Sequence, residues 1–369
     1  MAKIRLISVV LLLGATLFFF SRSTGEIFIA KNSTQDSLEV RVSRIPLSHK
    51  VGQLIMLGLA DGSSLDAFLP LVREEKIGGI IIMGGNVRAT KSIPDVLTLL
   101  QTEVASTSPE TSPLFMATDQ EGGVVSRFRG DGFTSVAQFE ITSTSSAREV
   151  AVKRGKELRT LGLNMNFAPV MDAADSSSFL YSRTFRGDQA QIAALGIAMM
   201  DGYRESGIIA VPKHFPGHPE YSLDSHRLLP VAEGNREWWE GHIAQFKMLL
   251  KESPEMLMTA HVSFPALDPD YPATLSKTII TDELRHRLGF DGVIITDDVK
   301  MGAIASNSSL AEASVRAIEA GNDIVLIVGS RKDAEEAYRV LNDALAAGRL
   351  SESRINESVV RIIRLKQKI

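Results

Sequence analysis

Apolar positions along the chain gather in short, nearly unbroken runs, separated by longer stretches in which they recur every three or four residues. The runs cover residues 53–59, 79–83, 114–118, 164–169, 208–212, 256–260, 292–296 and 323–328. They are rich in Ile, Val, Leu and Met, the composition of strands covered on both faces. Between them, residues 147–161, 189–206 and 333–347 carry the helical period. Eight strand–helix alternations in roughly 320 residues predict a single α/β domain, a (β/α)8 TIM-type barrel. A doubly wound open sheet is the alternative. Neither a Gly-rich dinucleotide fingerprint nor a G-x-x-x-x-G-K-[ST] loop accompanies the pattern, which weakens its nucleotide-binding versions.

Ahead of the barrel the pattern changes. Lys3 and Arg5 precede a charge-free, mostly apolar run over residues 6–20, followed by Ser21, Arg22, Ser23, Thr24 and Gly25. A basic start, a short apolar stretch and small residues after it describe an export signal. The run is about five residues short of the roughly 20 that cross a bilayer comfortably. Flanking residues and local thinning can absorb such a mismatch. Residues 1–25 are therefore read as a signal peptide or N-terminal membrane anchor, with membrane attachment through residues 4–20. Residues 26–46 are polar and irregular and read as a linker, leaving 47–369 for the barrel. The expected location is exported: periplasmic, secreted or at the outer face of the inner membrane.

Composition narrows the chemistry. Forty Lys+Arg stand against 44 Asp+Glu with no long basic run, so the electrostatic footprint of a nucleic-acid binder is missing. The absence of cysteine excludes disulfides, thiolate-bound zinc, iron–sulfur clusters, a cysteine nucleophile and a cysteine-linked lipid anchor.

In a parallel barrel the reactive residues collect where strands end. The strand ends here offer Asp119 and Glu121, Asp172, Lys213 and His214, His261, and the pair Asp297–Asp298. Three of the seven histidines, His214, His218 and His226, fall in one stretch. A metal site built from His214, Asp224 and His226 is one reading. Pro216-Gly217 breaks any helix that would align His214 with His218, and a loop in which histidines cap and brace is another reading. Asp224-x-His226 suggests a third. On extended chain, residues i and i+2 point the same way, so the carboxylate can orient the imidazole as an acid/base. Adjacent Asp297 and Asp298 point oppositely, so one can enter the mouth while the other braces. An attacking carboxylate with an acid/base is the minimum for retaining glycoside hydrolysis.

The motifs carry a family resemblance. Lys213-His214-Phe215-Pro216-Gly217-His218 with Asp224-Ser225-His226 resembles the signature of bacterial β-N-acetylhexosaminidases of glycoside hydrolase family 3. Asp119-Gln120-Glu121-Gly122-Gly123-Val124-Val125-Ser126-Arg127 resembles that family's D-x-E-G-G-x-V-x-R segment. Asn166-Phe167-Ala168-Pro169-Val170-Met171-Asp172 and Thr296-Asp297-Asp298 match in the right order. The resemblance implies removal of non-reducing terminal β-linked N-acetylglucosamine with retention. It implies Asp297 as nucleophile, His226 as acid/base and Asp224 as its partner. Asp119, Arg127, Arg183, Lys213 and His214 match sugar-binding positions, and each arginine has a structural ion pair as its other reading. Pro219 departs from the family, which usually has glycine there, and stiffens the segment leading to His226.

The implied substrate is a carbohydrate, N-acetylglucosaminyl glycans or muropeptides from the cell wall, with no cofactor, no metal and no nucleic-acid partner. A β-glucosidase or β-xylosidase of the same family, a metallohydrolase and a non-catalytic glycan-binding protein are the competing readings.

Overall fold

The computed structural model describes residues 36–60, 62–220 and 224–369. The export or anchor segment and the first part of the expected linker lie outside the described residues. Among the described residues, no helix is long and apolar enough to cross a membrane.

Eight parallel strands form the barrel wall. They are β1 (Ile55–Leu59), β2 (Gly79–Ile82), β3 (Phe115–Thr118), β4 (Met165–Asn166), β5 (Ile209–Ala210), β6 (Met256–Thr259), β7 (Val293–Asp298) and β8 (Ile324–Gly329). The paired order is β5-β4-β3-β2-β1-β8-β7-β6. The seam between β5 and β6 is bridged beyond β5 itself, where Phe215 pairs with Thr259. There the Phe215 N–H donates to the Met258 carbonyl at 2.8 Å and the Ala260 N–H to the Phe215 carbonyl at 2.7 Å. Every expected strand is present, so the barrel reading holds against the open sheet.

Alternation along each strand divides the apolar residues between two cores. Met56, Ile81, Phe115, Ala117, Met165, Met258 and Ile295 belong to the cluster that fills the barrel. Their neighbours Ile55, Leu57, Ile80, Ile82, Met116 and Ile294 belong to the larger cluster shared with the helices. Both faces are buried, which is why the runs read as continuously apolar. The final helix, Glu352–Lys366, brings Ile362 and Leu365 into the inner cluster. These residues close the end of the barrel at which the strands begin.

The expected linker is in part folded. Leu38–Ser43 is a helix whose N-cap, Ser37, accepts from the Val40 N–H at 3.4 Å. Val42 and Ile45 are buried in the same cluster as Ile355, Val359 and Ile363 of the final helix. Their i, i+3 spacing makes a one-turn apolar stripe, too short to stand out against the polar residues around it.

Candidate active site

The loop after β3 brings Asp119, Glu121 and Arg127 to one place with Lys213 and Arg183. Gly122 and Gly123 turn it with positive φ, and a Cβ on Gly122 would lie 2.0 Å from the Val136 carbonyl oxygen. Gln120 holds the turn together: its Oε1 accepts from the Arg127 and Phe128 N–H groups at 2.8 and 3.1 Å, and its Nε2 donates to the Phe128 carbonyl at 2.8 Å. Arg154, fully buried, donates to the Glu121 and Val136 carbonyls at 2.9 and 2.8 Å. Asp119 is thereby presented to Arg127 Nη2 and Lys213 Nζ, each at 2.9 Å.

Glu121 forms the second half of this cluster. It accepts a fork from Arg183, Nε to Oε2 at 2.9 Å and Nη2 to Oε1 at 2.8 Å, and it lies 2.6 Å from Lys213 Nζ. Burial works against both carboxylates, but the cations outweigh it and hold Asp119 and Glu121 below the usual carboxylate range. Burial likewise opposes the charge on Lys213, which its two carboxylate partners keep firmly protonated. Arg183 thus takes the ion-pair arrangement that was one of its two readings, with Glu121 as the partner.

Asp172, at the end of the β4 segment, is a hub. Its Oδ2 accepts from the His214 N–H at 3.1 Å and Nδ1 at 2.7 Å; its Oδ1 accepts from the His218 N–H at 2.8 Å and Nδ1 at 2.9 Å. Burial opposes its charge, but the His214 and His218 side chains hold its carboxyl well below the ordinary range. Both rings therefore carry hydrogen on Nδ1 and turn Nε2 away from Asp172. Burial outweighs the carboxylate for His214 and lowers its pKa, which keeps that ring neutral. Asp172, His214 and His218 are the group of described residues with spacing for a metal ion. The set first considered for a metal, His214 with Asp224 and His226, is not the one brought together. Each Asp172 oxygen is already occupied by two N–H donors, which fits the bracing reading.

Asp297 ends β7 beside these rings, with Oδ2 3.9 Å from His214 Nε2. Its Oδ1 accepts from the Asp298 N–H at 2.8 Å. Burial raises its pKa, but His214, His261, Lys213 and the Asp298 N–H together hold it below the carboxylate norm. Asp298 points the other way, as adjacent residues on a strand must. Its Oδ1 accepts from the Val328 N–H on β8 at 2.9 Å and from the Lys300 N–H at 3.0 Å. Burial pushes that carboxyl up to about 6. His261 steadies the same strand end, with Nε2 donating to the Asp298 carbonyl at 2.8 Å.

Asp224 and His226 form the close pair expected from their spacing. His226 Nδ1 is 2.7 Å from Asp224 Oδ1, which also accepts the His226 N–H at 3.0 Å. The ring is 61% exposed and Asp224 is also exposed, whereas Asp119, Glu121, Asp172, Lys213 and His214 are largely buried. Phe179 meets it edge-on at 6.4 Å and meets His218 at 5.5 Å. The bracing by Asp172, the Glu121 fork and the Arg154 contacts were not assigned from the sequence. Asp172 and Glu121 stood out as strand-end residues within the family motifs, without an assigned role, and His261 as a strand-end residue alone.

A closed set of parallel strands with charged groups crowded at their C-terminal ends is the architecture of a barrel enzyme. The chain belongs to glycosyl hydrolase family 3: the profile "Glycosyl hydrolase family 3 N terminal domain" matches residues 46–365. It is 34% identical over 327 residues to beta-hexosaminidase A of Pseudoalteromonas piscicida, covering 81% of this chain and 54% of the relative. It is 33% identical over 329 residues to beta-hexosaminidase LpqI of Mycobacterium tuberculosis, covering 86% and 82%. The chain thus spans about half the length of the first relative and most of the second. Among solved structures, a family 3 beta-N-acetylglucosaminidase from Paenibacillus sp. FPU-7 superposes with a TM-score of 0.80 at 36% identity, over 88% of this chain and 62% of that one.

Proposed function

We propose that this chain is a retaining exo-β-N-acetylhexosaminidase acting on terminal β-linked N-acetylglucosamine of peptidoglycan-derived glycans, outside the cytoplasm. The observation that carries this reading is Asp297: an ionised carboxylate at a strand end with no cation in direct contact. It borders an ordered polar cluster able to bind sugar hydroxyls. The names of the relatives support the sugar, and an exported location agrees with the basic, apolar start of the chain.

In the first step Asp297 attacks the anomeric carbon, the glycosidic bond breaks, and His226 passes a proton to the departing oxygen. In the second, His226 takes a proton from water as that water displaces Asp297. Asp224 holds the ring by Nδ1, so the proton moves through Nε2. Asp119, Arg127 and Lys213 supply a carboxylate acceptor and charged donors for hydroxyls. His214 and Arg183 border the same space, and the Glu121 fork fixes the plane of the Arg183 guanidinium.

The test is hydrolysis of 4-nitrophenyl N-acetyl-β-glucosaminide by residues 26–369, beside Asp297→Asn and His226→Ala. Turnover in the parent that falls by three or more orders of magnitude in Asp297→Asn supports the nucleophile assignment; an Asp297→Asn protein as active as the parent refutes it. Faster hydrolysis of the nitrophenyl glucoside would move the reading to a β-glucosidase.

A further inference from the structure

Asp297 lies near the end of β7, and the chain a few residues further on supports the His226 segment. The Gly302 N–H donates to the His226 carbonyl oxygen at 3.1 Å, and the Ala303 N–H to the Ser225 carbonyl oxygen at 3.1 Å. A Cβ on Gly302 would lie 2.6 Å from the His226 carbonyl oxygen and 2.8 Å from that of Arg227. Those are main-chain atoms, which cannot swing aside as a side chain can. Gly302 is not among the glycines with positive φ, so its backbone conformation suits any residue. Space alone demands glycine there.

From its other side the segment is held by Asp224. That residue accepts the His226 N–H and Nδ1 through Oδ1, and its carbonyl accepts the Arg227 and Leu228 N–H groups at 3.0 and 3.1 Å. The imidazole is thus fixed through Nδ1 to its own segment, while that segment is fixed to the β7 loop. Nothing else in the contacts described ties the His226 main chain to the barrel.

We propose that Gly302 is a positioning residue: by lacking a side chain it seats the His226 segment on the chain that leaves the nucleophile's strand, so the end of β7 and the turn after it set the places of both catalytic groups. This rests on the reading of His226 as acid/base. Gly302 touches no reacting atom. A methyl group there would lift the His226 and Arg227 carbonyls and draw the imidazole from the leaving oxygen, with Asp297 undisturbed on its strand.

The test uses Gly302→Ala, with Ala303→Pro as a second variant that deletes one seating N–H without adding a Cβ at 302. Hydrogen exchange over residues 224–230 should quicken in both variants. General acid–base groups contribute about 10²–10⁴-fold, so hydrolysis of N,N′-diacetylchitobiose, whose leaving group needs a proton, should fall roughly 100-fold. Release of 2,4-dinitrophenol needs no acid. Its turnover should be limited by the second step and restored by azide. Azide forms a bond to the anomeric carbon as the Asp297 ester bond breaks, giving the β-glycosyl azide, and needs no base. Unchanged exchange over 224–230 overturns the proposal. So does an equal loss on both substrates with no response to azide, which would mean Gly302 acts through Asp297 or the fold. His226→Ala run alongside separates the two readings: if it lacks the azide and leaving-group pattern, the acid/base assignment fails. If it has the pattern and Gly302→Ala does not, only the seat fails.

Discussion

Replacing Asp172 by asparagine exchanges one carboxylate oxygen for an amide nitrogen inside a site where all four approaching groups are N–H donors. Two orientations are open to the amide. With its nitrogen toward His218, it meets the shorter backbone contact, 2.8 Å, and His218 would have to carry hydrogen on Nε2. That atom is buried without a partner, so the orientation creates a second unsatisfied donor. With its nitrogen toward His214, the amide opposes a longer backbone contact, 3.1 Å, and the hydrogen moved to His214 Nε2 faces Asp297 Oδ2 at 3.9 Å. The second orientation is favoured on both counts.

Its cost can be assembled from those contacts. One backbone N–H is left facing an amide, about 1–3 kcal/mol. The two bonds to His218 lose their ionic character, roughly 1 kcal/mol each. The sum is about 3–5 kcal/mol, enough to shift a urea midpoint clearly without unfolding a domain of ordinary stability. The tautomer change is the sharper observable. Nitrogen-15 spectra of histidine-labelled protein should show His214 moving from Nδ1–H to Nε2–H while His218 keeps Nδ1–H. Turnover should fall too, because Asp297 would then accept a hydrogen bond it must give up to attack. A loss of stability below about 1 kcal/mol, or His214 unchanged in the spectra, would refute the hub.

Lys366 is buried with Nζ on the Gln53 Oε1 at 2.7 Å and the Thr111 carbonyl at 2.9 Å, and burial alone brings its pKa down to about 7. The unfolded chain then holds more protons than the folded one between about pH 7 and the ordinary value of 10.5, so stability should rise with pH across that window, by at most about 5 kcal/mol. Lys366→Met should lose that slope in denaturation curves; an unchanged slope would place the proton elsewhere. Glu121→Met should cost about 3–5 kcal/mol by stranding the buried Arg183 and Lys213 charges. Adding Arg183→Met should recover part of it, because Lys213 keeps Asp119; a double variant no better than the single one would argue against the fork. Pro219 is buried directly after His218, whose N–H and Nδ1 are tied to Asp172. Pro219→Gly should change kcat more than KM, and equal changes would remove any role for the proline in placing the His226 segment.

The strands were legible because parallel strands buried on both faces leave continuous apolar runs, and all eight runs became strands. What the runs overstated was length: β4 and β5 pair over two residues each. Pro169 and Pro212 lie just beyond, and neither can donate to a ladder. The Leu38–Ser43 helix was hidden for the opposite reason, since one turn of apolar spacing gives no period to detect. Within the site, residue types were readable and partners were not. Asp224 and His226 are two apart, so chain geometry alone brings them together. Asp172 meets rings 42 and 46 residues later, and Glu121 meets an arginine 62 residues later. Those distances belong to adjacent strands, and only the closed sheet converts them into contacts.

That division explains how Asp297 stays ionised and unencumbered at once. Three cations, Arg127, Arg183 and Lys213, are paired with two carboxylates, Asp119 and Glu121. Each cation is committed to a carboxylate by a contact of 2.9 Å or less, so none of them needs Asp297 as a partner. Lys213 acts on Asp297 from a distance, and the adjoining imidazole presents a bare nitrogen at 3.9 Å where a donor would have blocked an oxygen. A direct salt bridge would have lowered the pKa of Asp297 as well, but it would have to break for the carboxylate to attack. Stabilising the charge from a distance leaves the Oδ2 lone pairs available, and the pairing that makes this possible lies on the segments after β3, β4 and β5, away from the strand that carries the nucleophile.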